Sequence, residues 1–537
     1  MLIAAVDIGT SSTRALLFDS AHFTGQSAAV EYALKRPAPG AAELDPMEVM
    51  QALSECLRTL TQQTRRPIKC VSLSSAMHSL LAVDAHGAPL TPVYTWADNR
   101  ASVILPLFEA SLPPTVSGQS LYRETGVPLH PMSPLLKLVW LRHTQPLLFA
   151  AADKFVSIKE FICHQLFGKW LADYSIASAS GLYSLRRTDW CNAALATAGV
   201  TRAQLSMLAA PETILKGLPA GYAAAMNLPT TTPFVLGASD GCLANLGAGL
   251  LAAAPSARVD RRYARTAVLT IGTSGALRMA SATPSTDAAM RTFCYALAPD
   301  QYVTGGATNG GGLPLRWLRD NFPQLRLELA GSLPHPADAV PAGTAHPLGD
   351  AYSALAALAQ QAPPGSGGLL FHPYLAGERA PLWNADARAS FIGLNFSHGP
   401  AHLVRAVMEG VLFNLAMILG VLEELAGGPV DHIIAGGGFA RSPFWLQMAA
   451  DLLGRPLTVA DNPESTAQGA ALLAMKAMGQ VVTLDEAIAQ LPAATRRITP
   501  DAATHRRYAE LQPIFNEVPA TLAPFYGKLA RFQRETP

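Results

Sequence analysis

A glycine-containing turn near the start of the chain is the first place where residue types and spacing could support chemistry. Residues 7–14 read Asp-Ile-Gly-Thr-Ser-Ser-Thr-Arg and follow an apolar stretch typical of a buried strand. Such a turn exposes backbone N–H groups and hydroxyls, and Gly9 lacks the Cβ that would block close approach of phosphate oxygens. Asp7 points toward the same place and could reach Mg²⁺ directly or through water. An ordinary hairpin with a solvated aspartate explains this motif equally well when it is taken alone.

The Gly-Thr-Ser sequence occurs a second time, near the start of the second half of the chain. Residues 269–278 read Leu-Thr-Ile-Gly-Thr-Ser-Gly-Ala-Leu-Arg, again with apolar residues on both sides. The repeat indicates two halves of similar design. A nucleotide between two such turns would have its phosphates held by both, although only the first turn carries a leading aspartate. Chance recurrence of common turn residues is the alternative.

A third cluster of glycines, at residues 435–438, follows a predicted strand and precedes a predicted helix. Consecutive glycines at a strand end allow the backbone to approach a flat or charged ligand closely, and a flexible turn is the alternative. The chain contains no G-x-x-x-x-G-K-[ST] motif and no G-x-G-x-x-G after its first strand. The sequence therefore supports neither a P-loop nucleotide site nor a dinucleotide fold.

Asp240 lies in the sequence Gly-Ala-Ser-Asp-Gly, between a predicted strand at 233–236 and a predicted apolar helix at 243–251. A general base that deprotonates a hydroxyl must be a carboxylate within hydrogen-bond reach of it. The small neighbours of Asp240 leave room for a substrate. From composition alone, however, an aspartate at the start of a helix is more simply interpreted as an N-cap.

Length and composition limit the class of protein. A chain of 537 residues is too long for one hydrophobic core, so at least two domains are expected. Half of the residues are hydrophobic, and 40 Lys and Arg nearly balance 39 Asp and Glu, giving a formal net charge of +1. This balance provides no electrostatic footprint for nucleic acid or an anionic membrane.

Cysteine usage and the chain start favour a cytoplasmic protein. The six cysteines are scattered without metal-ligand spacing, which indicates reduced thiols. The first ten residues have no basic segment and include Asp7, unlike a signal peptide. The most apolar stretch, 411–422, is too short to span a bilayer and predicts a buried helix.

Strands alternate with helices in both halves, which predicts an α/β fold. The expected organisation is an N-terminal domain at 1–252, a C-terminal domain at 262–480 and a helical tail at 481–537 packed on the second domain. The unpatterned segment 242–266 is the predicted boundary, and the Pro- and Gly-rich stretch 333–349 is a predicted surface loop.

Taken in order, these motifs resemble the FGGY family of carbohydrate kinases. The resemblance rests on the two Gly-Thr-Ser turns, Gly-Ala-Ser-Asp-Gly at 237–241, Gly-Glu-Arg-Ala-Pro at 377–381 and Ala-Gly-Gly-Gly at 435–438. It covers roughly residues 1–475. It implies a two-domain actin/hexokinase-like ATPase fold, with a five-stranded mixed sheet of ribonuclease H type in each domain and an interdomain cleft.

The resemblance also implies roles for individual residues. Asp240 becomes the general base, and Asp7 together with Asp240 is associated with the metal. The residues implied to bind the nucleotide are Thr10, Ser11, Ser12, Arg14, Thr273, Gly312, Arg316, Gly437, Gly438 and Ser442. One departure is Gly310, where the gluconate kinase branch of the family usually has a second asparagine.

Three further segments resemble the substrate side of the family. Ala-Met-His-Ser at 76–79 and Trp-Ala-Asp-Asn-Arg at 96–100 are similar to stretches of xylulokinases, whereas His-Pro-Met-Ser-Pro at 130–134 looks closest to the gluconate kinase branch. The residues implied to surround the sugar are Met77, His78, Trp96, Met132 and Ser133. Candidate partners for a substrate carboxylate are Arg100, Lys137 and Lys159, and a structural salt bridge is an equally good explanation for each.

The implied activity is MgATP-dependent phosphorylation of D-gluconate, with ATP and Mg²⁺ as the required small molecules. Xylulokinase, or another ketose or polyol kinase of the family, is the nearest alternative. An actin-like ATPase without a sugar acceptor is an alternative from another class, and it leaves the segments around Met77 and Trp96 unexplained. No nucleic acid or membrane partner is expected, and the sequence is compatible with a homodimer without determining oligomeric state.

Overall fold

The computed structural model describes residues 1–109, 112–251, 265–322, 347–459, 464–492 and 496–535. The chain forms two compact units. The first contains Met1–Val259, Arg278–Gly305 and Glu464–Ala493, and the second contains Asp260–Leu277, Gly306–Pro463 and Ala494–Pro537. Most of the predicted boundary segment and most of the predicted loop at 333–349 lie outside the described residues.

The first unit is built on a six-stranded mixed sheet. In spatial order its strands are Ile214–Leu215, Phe234–Ser239, Cys70–Ser75, Leu2–Ile8, Ser12–Asp19 and His22–Glu31. The three central strands are parallel to one another, and all of their residues except Asp7 are buried, as expected for strands covered on both faces of a sheet. The two-residue strand Ile214–Leu215 extends one edge beyond the five strands that the family resemblance implied.

Helices cover this sheet and extend the first unit. Those of six or more residues are Pro46–Gln63, Gly118–Thr125, Pro134–Thr144, Pro146–Ala151, Ile158–Phe167, Tyr174–Ala179, Asn192–Ala198, Ala220–Met226, Asp240–Gly247 and Ser465–Ala477. The helix Pro46–Gln63 begins where the Asp45 side chain accepts the backbone N–H groups of Met47 and Glu48. It buries Val49, Leu53 and other residues at helical spacing against the sheet core.

The second unit contains strands of a seven-stranded sheet, which has two strands more than the five that the family resemblance implied. Thr266–Ile271, His432–Gly436 and Leu457–Val459 are parallel in that order, and Arg496–Ile498 is antiparallel to the last of them. The longer helices of this unit are Leu313–Asn321, Pro347–Ala359, Pro400–Ala426, Pro443–Leu453 and Ala502–Glu535. Two strands, Gly275–Ser281 and Gln301–Thr308, begin in one unit and end in the other. In the first unit Phe293–Ala298 forms an antiparallel hairpin with Gln301–Thr308.

The helix Pro400–Ala426 is much longer than the apolar stretch at 411–422. Its 27 residues are long and apolar enough to cross a membrane by length and composition, but 78% of its apolar window is buried inside the protein. It is therefore a core helix of the second unit. The C-terminal helix Ala502–Glu535 packs in the same unit, where Phe515 stacks on His372 with ring centroids 4.1 Å apart.

The strand before Asp240 and the helix that contains it have bounds that differ from the predicted ones. The strand continues to Ser239, and the helix begins at Asp240 and ends at Gly247. The helix ends early because the chain turns into a positive φ of 83° at Gly249. Asp240 is thus the first residue of the helix, and the cap position belongs to Ser239.

Two glycines allow the helices Asp240–Gly247 and Ser465–Ala477 to lie in backbone contact. A Cβ at Gly469 would overlap the carbonyl oxygen of Leu243, and a Cβ at Gly247 would overlap that of Ser465. The later helix therefore braces the one that carries Asp240.

We expect Gly469→Ala to lower the free energy of unfolding by about 1–3 kcal/mol or more, because the helices must separate to admit one methyl group. The measurement is denaturant unfolding. Gly420→Ala is the matched control, since a Cβ there meets no atom within 4 Å and alanine favours a helix interior by up to about 1 kcal/mol. Equal stability of the two variants would show that the close approach is not a constraint.

Candidate functional site

The parallel strands of the first unit end in register, and their ends carry the predicted catalytic residues. Asp7 pairs with Ser74 across Leu2–Ile8 and Cys70–Ser75, and Ser74 pairs in turn with Ala238. Asp7 and the residues leading to Asp240 therefore lie at the same edge of the sheet. In open α/β sheets, ligands bind outside this carboxyl edge.

The first Gly-Thr-Ser turn is a tight connection between two antiparallel strands. The backbone N–H of Gly9 donates to the carbonyl of Ser12 at 2.9 Å, and a Cβ on Gly9 would lie 3.0 Å from that oxygen. The Tyr32 hydroxyl donates to the Gly9 carbonyl at 2.7 Å. The turn is thus held rigidly, while Ser11 at its tip is exposed.

Asp7 and Arg14 face each other beside this turn. The Arg14 guanidinium lies 3.3 Å from Oδ2 of Asp7 and 3.0 Å from Oε2 of Glu464, and Ser74 Oγ donates to Oδ1 of Asp7 at 3.1 Å. A single carboxylate with hydroxyl neighbours suits Mg²⁺, which typically keeps several waters and binds through one or two carboxylates and substrate phosphates. The donor set at Asp7 therefore fits a Mg²⁺ ion held largely by water and nucleotide.

Asp240 is presented at the first position of its helix. Its Oδ1 accepts the backbone N–H of Gly241 at 2.7 Å. At the first position of the motif, three residues before Asp240, Gly237 has φ of +68°, and any Cβ there would overlap the carbonyl of Leu73 on the neighbouring strand. This glycine permits the irregularity in strand register between Val235 and Ala238, which sets the position from which Asp240 projects.

A buried polar network supports the residue just before Asp240. Lys159 Nζ lies 2.8 Å from Oδ2 of Asp173, and both side chains are almost fully buried. Oδ1 of Asp173 accepts the Ser175 hydroxyl, and Ser175 Oγ accepts the backbone N–H of Ser239 at 2.7 Å. Lys159, a sequence candidate for a substrate carboxylate, is thus paired inside the protein.

Met77 and Arg278 meet above the backbone of Gly241. A Cβ built on Gly241 would overlap Cε of Met77 and would lie 3.5 Å from both Nε and Nη2 of Arg278. Electrostatic attraction links Arg278 with Asp240. The predicted sugar-side residue Met77 and the predicted base therefore share one neighbourhood with a cation that the sequence interpretation did not single out.

His78 is held in one orientation by two hydrogen bonds. Its backbone has a positive φ of 63°, its Nδ1 lies 2.8 Å from the Ala179 carbonyl, and its Nε2 lies 3.3 Å from the Tyr295 hydroxyl. Because a carbonyl only accepts, Nδ1 carries the proton, and Nε2 of a neutral ring accepts from Tyr295. The buried ring is therefore oriented by protein groups on both nitrogens.

Lys137 joins the three segments that resemble the substrate side of the family. Its Nζ donates to the carbonyls of His78 at 2.9 Å, Thr95 at 2.7 Å and Met132 at 2.7 Å. The side chain is 1% exposed. Burial lowers the pKa of Lys137 to about 7, whereas three accepting carbonyls match the three N–H bonds of an ammonium group. This residue is a structural anchor.

Of the other residues in these segments, Trp96 contacts the first Gly-Thr-Ser turn, and Met132 and Ser133 are buried in the protein. Trp96 Nε1 donates to Thr10 Oγ1 at 2.8 Å and so joins the Trp96 segment to the first turn. Met132 and Ser133 are buried, and Ser133 Oγ accepts the N–H of Leu136 as the cap of the helix Pro134–Thr144.

Arg100 is paired within the protein. Its guanidinium lies 2.6 Å from carboxylate oxygens of both Asp98 and Glu43. Burial acts to lower the pKa of Arg100, but these two carboxylates outweigh it and the pKa is raised. All three cations that the sequence offered for a substrate carboxylate therefore have protein partners.

In the second unit, the second Gly-Thr-Ser turn packs against the glycine run before the helix Leu313–Asn321. Gly312 donates its N–H to the Gly272 carbonyl at 2.7 Å, and the N–H of Gly311 reaches the Thr273 carbonyl at 3.2 Å. A Cβ at Gly310 would lie 2.7 Å from the carbonyl oxygen of Pro373. The packing at Gly310, the residue that departs from the family pattern, is thus too close to admit a Cβ without a shift.

The remaining residues predicted to bind the nucleotide lie in two separate segments of this unit. Gly437 has φ of +88°, and a Cβ there would lie 2.6 Å from the Ile271 carbonyl at the start of the second turn. Gly438 follows it, and Ser442 caps the helix Pro443–Leu453 by accepting the N–H of Trp445. Arg316 is exposed on the helix that begins after Gly312, with Asp320 at 3.7 Å.

The buried carboxylate of Glu378 holds the residue just before the glycines at 310–312. Glu378, from the Gly-Glu-Arg-Ala-Pro motif, accepts the N–H of Asn309 at 2.7 Å and the side-chain amide of Asn414 at 3.1 Å. Burial raises the pKa of Glu378 to about 7, against the opposing effect of these hydrogen bonds. Sequence reasoning quoted this motif without giving Glu378 a role.

Comparison with known proteins identifies the family. The models of the N-terminal and C-terminal domains of the FGGY family of carbohydrate kinases match residues 2–247 and 267–478. The gluconokinase of Bacillus subtilis is 40% identical over 531 residues, with 98% of both chains covered.

Solved structures agree with this assignment. A ligand-bound xylulose kinase and a gluconate kinase, both from Lactobacillus acidophilus, are each 32% identical and match with TM-scores of 0.86 and 0.85. In both cases 98% of this chain and 99% of the other are covered. The family and the two-domain kinase fold predicted from the motifs are confirmed.

Two domain models match in order over most of the length of the chain. The chain belongs to the FGGY family of carbohydrate kinases, which are phosphotransferases acting on a sugar hydroxyl.

Proposed function

We propose that this protein transfers the γ-phosphoryl group of MgATP to D-gluconate and produces 6-phosphogluconate. The observation that carries the proposal is the full-length likeness to a gluconokinase. The segment His-Pro-Met-Ser-Pro at 130–134, which resembles the gluconate kinase branch, supports the same substrate. Xylulose phosphorylation is the second candidate, because the solved xylulose kinase matches this chain as well as the gluconate kinase does.

In the proposed reaction Asp240 is the general base. Its carboxylate accepts the proton of the attacking hydroxyl while that oxygen forms a bond to the γ-phosphorus. The bond from the γ-phosphorus to its bridging oxygen breaks, and ADP leaves. The position of Asp240 at the carboxyl edge of the sheet, next to Met77 and Arg278, supports this role. General base catalysis typically contributes about 10²- to 10⁴-fold.

The phosphates are proposed to lie against the backbone and hydroxyl groups of the two Gly-Thr-Ser turns. In the first unit these are Thr10, Ser11, Ser12 and Arg14. In the second unit they are Thr273 and, nearer the nucleoside, Gly312, Arg316, Gly437, Gly438 and Ser442. Mg²⁺, held by Asp7 and served by Asp240, would neutralise charge on the transferring phosphoryl group.

The sugar is proposed to contact Met77, His78 and Trp96, with Met132 and Ser133 shaping the site from behind. Lys137 acts as a positioning residue, because its three hydrogen bonds fix the backbone of all three segments. We also propose that the protein works in the cytoplasm without nucleic acid or membrane partners, consistent with six buried free thiols and a balanced charge.

The first test is a coupled assay of ADP release with D-gluconate, D-xylulose, L-ribulose, glycerol and no acceptor. We expect strong turnover with gluconate alone. Turnover with a ketose instead would keep the kinase and replace the substrate. Hydrolysis that is indifferent to every sugar would contradict the proposal and favour an ATPase without an acceptor.

We expect Asp240→Asn to lower kcat by about 10²- to 10⁴-fold, because the amide cannot accept the hydroxyl proton. ATP binding, measured by calorimetry, should change little. The control is Asp431→Asn, which makes the same change at an exposed position. A near-normal rate in Asp240→Asn would exclude this residue as the base.

We expect Lys137→Met to raise KM for the sugar about tenfold or more while KM for ATP changes less than about twofold. Three carbonyls lose their donor, and each unsatisfied buried group costs about 1–3 kcal/mol, so stability should fall as well. Lys137→Arg, which keeps the charge, should show a smaller shift. Lys169→Met is the exposed control. A parallel rise in both KM values would indicate a general structural effect.

A further inference from the structure

Arg278 is a cation inside the predicted sugar region. It lies on the strand Gly275–Ser281, and its Nε and Nη2 would each lie 3.5 Å from a Cβ built on Gly241, the residue after Asp240. Burial lowers the pKa of Arg278, and the charge of Asp240 opposes this effect. An arginine stays protonated under these conditions. The site therefore contains a fixed positive charge next to the candidate base.

The side chains near this guanidinium belong to the predicted sugar region or contact it. Met77 shares the space above Gly241 with Arg278. Tyr295, whose hydroxyl meets the imidazole of His78, also contributes to the electrostatics of Arg278. Arg278 thus lies near Met77 and, through Tyr295, near His78, two residues that are proposed to contact the sugar.

The alternative cations are poorly suited to take a substrate carboxylate. Arg100 and Lys159 are in ion pairs with protein carboxylates, and Lys137 is held by three carbonyls. Drawing Arg100 or Lys159 away would break an ion pair inside the protein, and drawing Lys137 away would leave three buried carbonyls without their donor. Asp240 is one of the groups that act on the charge of Arg278, and Asp240 belongs to the proposed reaction itself.

We propose that Arg278 binds the carboxylate of the sugar acid and selects acids over uncharged sugars. A guanidinium has five N–H donors in a planar fork that matches the geometry of a carboxylate, which in gluconate is at the opposite end of the chain from the reacting hydroxyl. A neutral polyol of the same length cannot form this ion pair and leaves the cation less well solvated. This assignment rests on the proposed function, since it requires an acidic substrate.

The test compares D-gluconate with D-glucitol, which differs only in having CH₂OH in place of the carboxylate. Full-length wild-type protein, Arg278→Met and Arg278→Lys are assayed for kcat/KM with each ligand, and D-glucitol is measured as a competitive inhibitor where it is not phosphorylated. In Arg278→Met, kcat/KM for gluconate should fall about 10- to 100-fold, as expected for loss of a charged hydrogen-bonding partner. The kcat/KM for D-glucitol, or its inhibition constant where it is not phosphorylated, should change less than about threefold. Arg278→Lys should recover part of the loss in kcat/KM for gluconate.

Controls separate this role from effects on the base and on folding. Arg58→Met is the matched substitution at an exposed position of the first unit, and melting temperatures report folding. An equal loss with both ligands would overturn the assignment and show that Arg278 acts through Asp240. Retention of the acid preference in Arg278→Met would also overturn it. A wild-type protein that does not phosphorylate gluconate would instead contradict the proposed function.

Discussion

The register of three parallel strands is the constraint on which the first unit's site depends. Leu2–Ile8, Cys70–Ser75 and Phe234–Ser239 run side by side and end together. Because side chains alternate between faces, a shift of one residue in any strand would turn its terminal polar residue to the other face. Asp7, Ser74 and the turn leading to Asp240 meet only in the register observed. The close packing of Gly237 on Leu73 maintains that register locally.

Around this edge, buried backbone groups are held by charged side chains placed away from solvent. Lys137 satisfies three carbonyls from three separate segments, the Lys159–Asp173 pair reaches the backbone of Ser239 through Ser175, and Glu378 accepts the N–H of Asn309. Buried polar groups are costly unless they are paired, so each network is stable only when complete. The positions of the segments proposed to contact the substrate are therefore tied to the packing of the core.

In the first unit, carboxylates lie near arginines, an arrangement that suits a reaction between negatively charged groups. The Asp7 carboxylate is paired with Arg14, and the charge of Asp240 acts on nearby Arg278. Such pairs hold side chains in fixed directions, and preorganised groups of this kind are the main source of catalysis in phosphoryl transfer. In the second unit, the glycines at 310–312 and Gly437 pack closely on backbone carbonyls of neighbouring segments.

The sequence by itself determined the family, the α/β fold and the strand-end position of Asp7 and Asp240, because ordered local motifs carry that information. It predicted the existence of most strands and helices, but not the start of the helix at Asp240 or the full length of Pro400–Ala426. Only the tertiary structure decided which cations have protein partners and brought Arg278 beside Asp240. These residues are far apart in the chain, and pairing between distant side chains leaves no periodic or compositional signal in the sequence.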